Sequence, residues 1–193
     1  MTLAPTVALF AKFPLAGEAK TRLAPMLGEA GAAEVHRRMV ERTLATVRES
    51  GLPFAVHATG APLAEFADWL GADVPLVEQG DGDLGARLAR VEAPAIVLGA
   101  DIPGLTADHL REAARALRHD PVVIGPATDG GYYLLGFSAP VPMLWRDMPW
   151  GTETVLAETQ RRLRAEGIAF SLLGELDDCD RPEDLARWPE LMP

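Results

Sequence analysis

The residue types able to handle phosphates, metals and protons concentrate in four short segments. Residues 12–23, Lys-Phe-Pro-Leu-Ala-Gly-Glu-Ala-Lys-Thr-Arg-Leu, put three cations, Lys12, Lys20 and Arg22, together with Gly17 in an otherwise acidic chain. Lysine is a compact point charge and arginine a planar fork, so the set suits a polyphosphate; a solvated basic loop explains the same letters. Residues 99–104, Gly-Ala-Asp-Ile-Pro-Gly, place Asp101 directly after an apolar run. A carboxylate there is costly unless something positive meets it, and Mg2+ or Mn2+ would, since hard cations take carboxylate and phosphate oxygens together. A turn-forming aspartate is an equal account. Residues 125–132 join Thr128, Asp129 and Tyr132 to the pair Gly130-Gly131, which allows close backbone approach to a ligand, or simply a hairpin turn. Residues 177–185, Asp-Asp-Cys-Asp-Arg-Pro-Glu-Asp-Leu, offer Asp180 as a second metal ligand, or as the N-cap of a last helix with Glu183 in capping-box position.

Each segment follows a run that reads as a strand. Thr6–Lys12 is short, apolar and β-compatible, as expected of a strand buried on both faces. Pro14, Gly17 and Pro25 exclude a regular helix over 13–27, after which Val40, Leu44 and Val47 predict a helix from about Glu29 to Ser50, stopped by Gly51. Further strands are expected at 54–57, 74–78, 95–99, 122–124, 132–135 and 169–173. Helices are expected at 62–70, between Gly85 and Val91, after Thr106, from Thr152 to Glu166, and from Pro182 to Trp188. Alternating strands and helices imply a mostly parallel sheet covered on both faces, and ligands bind such sheets at the C-terminal edge.

Several tempting motifs carry less. Gly80-Asp81-Gly82-Asp83-Leu84-Gly85 matches G-x-G-x-x-G, but it follows the third strand and sets two carboxylates where a pyrophosphate would lie. A flexible turn, or a loop touching a base through its backbone, reads better. Gly17-Glu-Ala-Lys20-Thr21 lacks the glycine that precedes a Walker lysine. His36, His57, His109 and His119 show no metal-ligand pairing, and Cys179 sits between two aspartates that disfavour a thiolate. The 193 residues include 18 basic and 28 acidic side chains, a net charge of −10 that does not favour nucleic acid as a partner. One cysteine excludes an internal disulfide and fits the reducing cytoplasm. No run approaches the roughly 18 apolar residues of a membrane span.

In order, Ala-Lys-x-Pro-x-x-Gly-x-x-Lys-Thr-Arg-Leu, Gly-Asp-Leu-Gly-x-Arg, Gly-Ala-Asp-Ile-Pro and Gly-Pro-Ala-x-Asp-Gly-Gly-Tyr-Tyr-Leu-Leu-Gly resemble the DUF2064 family, bacterial members of the GT-A (nucleotide-diphospho-sugar transferase) superfamily. The resemblance extends from about Val7 to Leu185. It implies one domain over residues 1–193, an α/β three-layer sandwich with a mixed, mostly parallel sheet. It also implies a nucleotide over the sheet's C-terminal edge and Mg2+ or Mn2+ held by Asp101 and Asp180. By motif, Lys12, Gly17, Lys20, Arg22, Gly82 and Arg87 resemble nucleotide-binding positions. Trp150-Gly151-Thr152 matches a family segment on the acceptor side, beside Asp129, Gly130 and Tyr132. Arg181 stands where related nucleotidyltransferases carry threonine.

Three activities fit these expectations, the first favoured because a departing pyrophosphate needs more positive charge than one metal provides. The first is nucleotidyl transfer from an NTP to a small phosphorylated acceptor, with Lys20 and Arg22 neutralising the departing pyrophosphate. The second is glycosyl transfer from an NDP-sugar to a small acceptor, with Asp129 as general base. The third is a nucleotide-binding accessory protein without catalysis.

Overall fold

The first strand shows how the sheet is built. In the computed structural model, which describes residues 4–193, β1 (Thr6–Lys12) turns Val7, Leu9 and Ala11 to one apolar layer and Ala8 and Phe10 to the other. Side chains alternate across a strand, so a run apolar at every position has to be buried on both sides. The remaining strands are β2 (Phe54–Thr59), β3 (Leu76–Glu78), β4 (Ala95–Leu98), β5 (Val122–Pro126), β6 (Tyr132–Phe137) and β7 (Phe170–Leu172). They form one sheet in the order β3-β2-β1-β4-β6-β5-β7.

All pairings are parallel except those of β6, which runs antiparallel to both β4 and β5. Five residues separate β5 from β6, too few for a parallel crossover. The segment 127–131 is therefore a hairpin connection, the plainer of the two readings open to its letters.

Helix α1 (Ala24–Ser50) contributes Val40, Leu44 and Val47 to the layer that also takes Leu110 and Ala113 of α4 (Ala107–Ala116). Gly28, at φ 72° and ψ 167°, interrupts α1, so the continuous helix starts where the periodicity placed it, and left-handed Gly51 ends it. The opposite layer holds Leu163 of α5 (Val155–Ala165) against Val122, Ile124, Leu135 and Phe137. Helix α5 begins three residues later than expected, because Thr152 bonds back to the Pro149 carbonyl in a turn of its own. Helices α2 (Leu63–Leu70), α3 (Leu84–Leu88) and α6 (Pro182–Leu185) complete the layers. Among the described residues no helix is long and apolar enough to cross a membrane.

Candidate active site

The loops after β1, β4, β5 and β7 meet at one edge of the sheet, and a buried lysine joins three of them. Lys20 adopts a left-handed backbone (φ 49°, ψ 43°) that an L-residue enters only at a cost of about 1–2 kcal/mol. Its side chain is 4% exposed, and Nζ lies 2.7 Å from Asp101 Oδ1 and 3.4 Å from Asp180 Oδ1. The third ammonium hydrogen goes to the Cys179 carbonyl at 2.7 Å. All three donors are thus satisfied, the condition for enclosing a charge.

Burial alone would lower the pKa of Lys20, but the two carboxylates reverse that and raise it. The Lys20 charge holds Asp101 below the ordinary carboxylate range. Arg22 donates to Asp180 Oδ2 and keeps 65% of its side chain exposed.

The backbone explains why Asp180, far away in sequence, arrives beside Asp101. Leu176 donates to the Pro126 carbonyl and accepts from the Thr128 N–H, both at 3.1 Å, which extends the chain after β7 alongside β5. Cys179 then donates its N–H to the Asp101 carbonyl at 2.9 Å, and its fully buried side chain packs among Leu23, Val35 and Leu185. Burial pushes its thiol up to about 11, so it is an anchor and no nucleophile. Sequence reading missed this positioning role; the signal was an apolar-sized residue between two aspartates.

The capping expectation for Asp180 is wrong. The N-cap of α6 is Arg181, and Asp184 accepts both the Arg181 N–H at 2.8 Å and the Asp180 N–H at 3.1 Å. Pro182 takes the first helical position, which shifts the cap one residue onward and leaves the Asp180 carboxylate to Lys20 and Arg22.

A cleft of about 330 Å³ opens beside this cluster, lined among others by Arg22, Asp101, Asp180, Asp129, Asp178, Tyr132, Trp150 and Thr152. The structure brings these separate segments together. Asp129 Oδ1 accepts the Gly131 N–H at 2.8 Å. Burial, with Asp129 nearby, raises the pKa of Asp178, a lining residue the sequence did not single out.

Two acceptor-side expectations change. Gly130 (φ 86°) is required by packing: a Cβ there would stand 2.2 Å from the Glu153 carbonyl oxygen, and its own carbonyl caps Leu156 N–H at 3.0 Å. The Tyr132 hydroxyl is buried near Thr159 and has its pKa raised, so only the ring can serve the cleft.

The nucleotide-side set divides in the same way. Lys12 is paired with Glu18, through the carbonyl at 3.0 Å and the carboxylate at 3.1 Å, and lines a second cavity of about 180 Å³ with Lys20, His36, Asp101 and Asp180. Gly17 bends the same loop at φ 79°. His36 Nε2 donates a 2.9 Å hydrogen bond to the Lys12 carbonyl, with its pKa lowered by burial, as expected of a satisfied histidine.

Gly82 and Arg87 do not line the cleft. Arg87 Nε donates to the Gly82 carbonyl at 3.0 Å, and Asp83 caps α3 by accepting the Ala86 N–H at 2.8 Å, so the fingerprint glycines serve a capped turn. Gln79, missed in the sequence, ties that turn to the sheet. Its Nε2 donates to the His57 carbonyl at 2.7 Å while its own carbonyl accepts from Arg90 at 3.0 Å.

Among the described residues no three His, Cys, Asp or Glu side chains gather as a metal cage. Asp101 and Asp180 do converge on one ammonium, and Asp101 spends only Oδ1 on it. Two carboxylates completed by waters and diphosphate oxygens are an ordinary Mg2+ donor set.

Among solved structures, a provisionally named nucleotide-diphospho-sugar transferase from Desulfovibrio desulfuricans G20 is 27% identical, with 94% of this chain and 84% of that one covered at a TM-score of 0.88. A manganese complex of Rv0371c from Mycobacterium tuberculosis H37Rv is 19% identical over 97% and 99% of the two chains, at 0.56. The 2-C-methyl-D-erythritol 4-phosphate cytidylyltransferase of Thermus thermophilus is 19% identical over 98% of each, at 0.54. These likenesses show the nucleotide-diphospho-sugar transferase fold. The comparison with curated proteins returned no match. A family model described as "Uncharacterized protein conserved in bacteria (DUF2064)" matches residues 42–152, a narrower span than the motifs suggested, which holds Asp101 and Asp129 but neither Lys20 nor Asp180. That span exceeds half of the chain, and the protein belongs to the DUF2064 family.

Proposed function

We propose that this protein is a divalent-metal-dependent transferase that takes its group from a nucleotide-activated donor. One observation carries the reading: Lys20 gathers Asp101 and Asp180 beside an open cleft that Arg22 also lines. We take the chain as one working domain in the cytoplasm, supported by a sheet that draws strands from Thr6 to Leu172 and by a lone buried cysteine.

Asp101 and Asp180 would hold Mg2+ or Mn2+, which supplies charge neutralisation on a departing diphosphate. Lys20, with every donor taken, positions the two carboxylates and lends them a fixed positive charge. Arg22 is the cation whose remaining donors can reach the diphosphate directly. Of the two transfer reactions, the glycosyl one fits better. The three loop cations expected to meet a triphosphate are each already paired with a carboxylate, which leaves little charge for a departing pyrophosphate. The name of the 27% identical structure supports the same choice.

In that reaction an acceptor hydroxyl oxygen bonds to the anomeric carbon as the bond from that carbon to the phosphate oxygen breaks. The nucleoside diphosphate leaves with the electron pair, and Asp129 takes the hydroxyl proton on Oδ2, its other oxygen being held by the Gly131 N–H. Nucleotidyl transfer is the second reading, favoured by the clustering of Lys12, Lys20 and Arg22 on the loop after β1. The test follows free nucleoside diphosphate from NDP-sugars and pyrophosphate from NTPs with Mg2+ or Mn2+ and an acceptor panel. Metal-dependent diphosphate release that is lost in Asp101→Asn supports the first reading, and pyrophosphate release the second. Nucleotide binding with neither product would make the protein a non-catalytic binder.

A further inference from the structure

Charge in the cleft bears on the acceptor. Four carboxylates line it, Asp101, Asp129, Asp178 and Asp180, against one cation, Arg22, which already bonds Asp180. Lys20 adds no accessible charge, because its ammonium is enclosed and all its donors are used. The donor's diphosphate accounts for the corner made by Asp101, Asp180 and Arg22. What remains of the lining includes Asp129 and nearby Asp178, together with the Tyr132 and Trp150 rings and Thr152. Nothing in that lining can neutralise a phosphate, while carboxylates accept hydrogen bonds from hydroxyl or amino groups and aromatic faces cover the C–H face of a ring.

We infer, resting on the transferase reading above, that the acceptor is an uncharged or cationic polyhydroxylated molecule carrying no phosphate, and that Asp129 and Asp178 enforce this choice. The phosphorylated acceptor belongs to the expectation of nucleotidyl transfer; the small acceptor expected for glycosyl transfer is thereby specified. The geometry also separates two duties: Asp129 both selects and takes the proton, whereas Asp178 selects by charge alone. A phosphate brought beside Asp178 meets a like charge in a partly desolvated cleft, where such repulsion is several times stronger than in water.

The test uses matched probes that differ only in the phosphate: glucose with glucose 6-phosphate, glycerol with glycerol 3-phosphate, and glucosamine as the cationic member. Each is titrated by ligand-observed NMR into full-length protein holding Mg2+ and a nucleoside diphosphate. Binding of the unphosphorylated members at least about tenfold tighter than their phosphorylated partners is expected, with the ratio shrinking about five- to tenfold in Asp178→Asn. Preference for the phosphorylated members, binding of neither set, or an unchanged ratio in Asp178→Asn overturns the inference. The nucleoside diphosphate signal reports separately on the underlying reading: if Mg2+ and nucleotide fail to bind, that reading falls, whereas intact nucleotide binding with a phosphate-preferring acceptor side sinks the acceptor assignment alone.

Discussion

Replacing Lys20 by methionine removes the charge while keeping a long side chain to fill its channel. In the native protein the ammonium meets Asp101 at 2.7 Å, the Cys179 carbonyl at 2.7 Å and Asp180 at 3.4 Å. Taking one partner from a fully enclosed ion pair costs about 3–5 kcal/mol. The Asp101 side chain is 56% exposed and Asp180 29%, so water reaches the orphaned charges, and the cost should fall to about 1–2 kcal/mol. For a chain of this size each kcal/mol moves the midpoint by about 2–4 °C, which predicts a Tm lower by about 2–8 °C.

The same variant leaves two converging carboxylates with no cation between them, so it should bind Mg2+ more tightly than the native protein, whose ammonium repels the ion. Saturation at a hundredfold excess over Kd stabilises by about 2.7 kcal/mol, enough to cancel the loss. Thermal melts with and without Mg2+ or Mn2+ provide the readout. An unchanged Tm in the metal-free variant, or equal metal-induced shifts in both proteins, would refute the claim that Lys20 and a divalent ion share the Asp101–Asp180 pair.

Other expectations are simpler to check. Asp101→Asn should abolish metal-dependent nucleotide binding in a fluorescence titration and also lower Tm by a few degrees, since Lys20 loses its nearer carboxylate. Asp129→Asn should reduce kcat by about 10²–10⁴-fold with little change in the Kd for nucleotide, as measured by diphosphate release. Gly130→Ala puts a Cβ 2.2 Å from the Glu153 carbonyl oxygen at φ 86°, so a loss of at least about 2 kcal/mol is expected in a denaturant titration. Cys179, its thiol pushed up to about 11 by burial, should resist iodoacetamide at pH 7.5 until denaturant is added, and rapid native-state alkylation would contradict that placement.

Local chemistry made much of the architecture legible. The uninterrupted apolar run of β1 required burial on both faces, the 3.6-residue spacing of Val40, Leu44 and Val47 required a helix, and Gly51 required its end. Asp101 was visible for the same reason, as a carboxylate in the loop that leaves β4, where burial would be costly without a counter-charge. The start of α5 was misplaced, and the capping alternative for Asp180 fails although α6 starts at Pro182 as expected, because Thr152 and Asp180 are good caps by type, and residue type does not say whether a hydroxyl or carboxylate will find a nearer partner. The G-x-G-x-x-G run and the basic loop show a related limit. Composition registered cations and glycines, but pairing with Glu18, Asp101 and Asp180 decided how much of that charge remained available.

By itself, then, the sequence determined which segments are strands and helices and that the sheet is covered on both sides, and it marked the few residues whose chemistry suits a metal or a phosphate; these properties depend on neighbours a few positions apart. Only the tertiary structure decided that Cys179 hangs the chain from the Asp101 carbonyl, that Lys20 reaches through to both aspartates, and that the cleft beyond them is walled with carboxylates. Those contacts join residues up to 160 positions apart, and their strength depends on burial and distance, which no local pattern encodes.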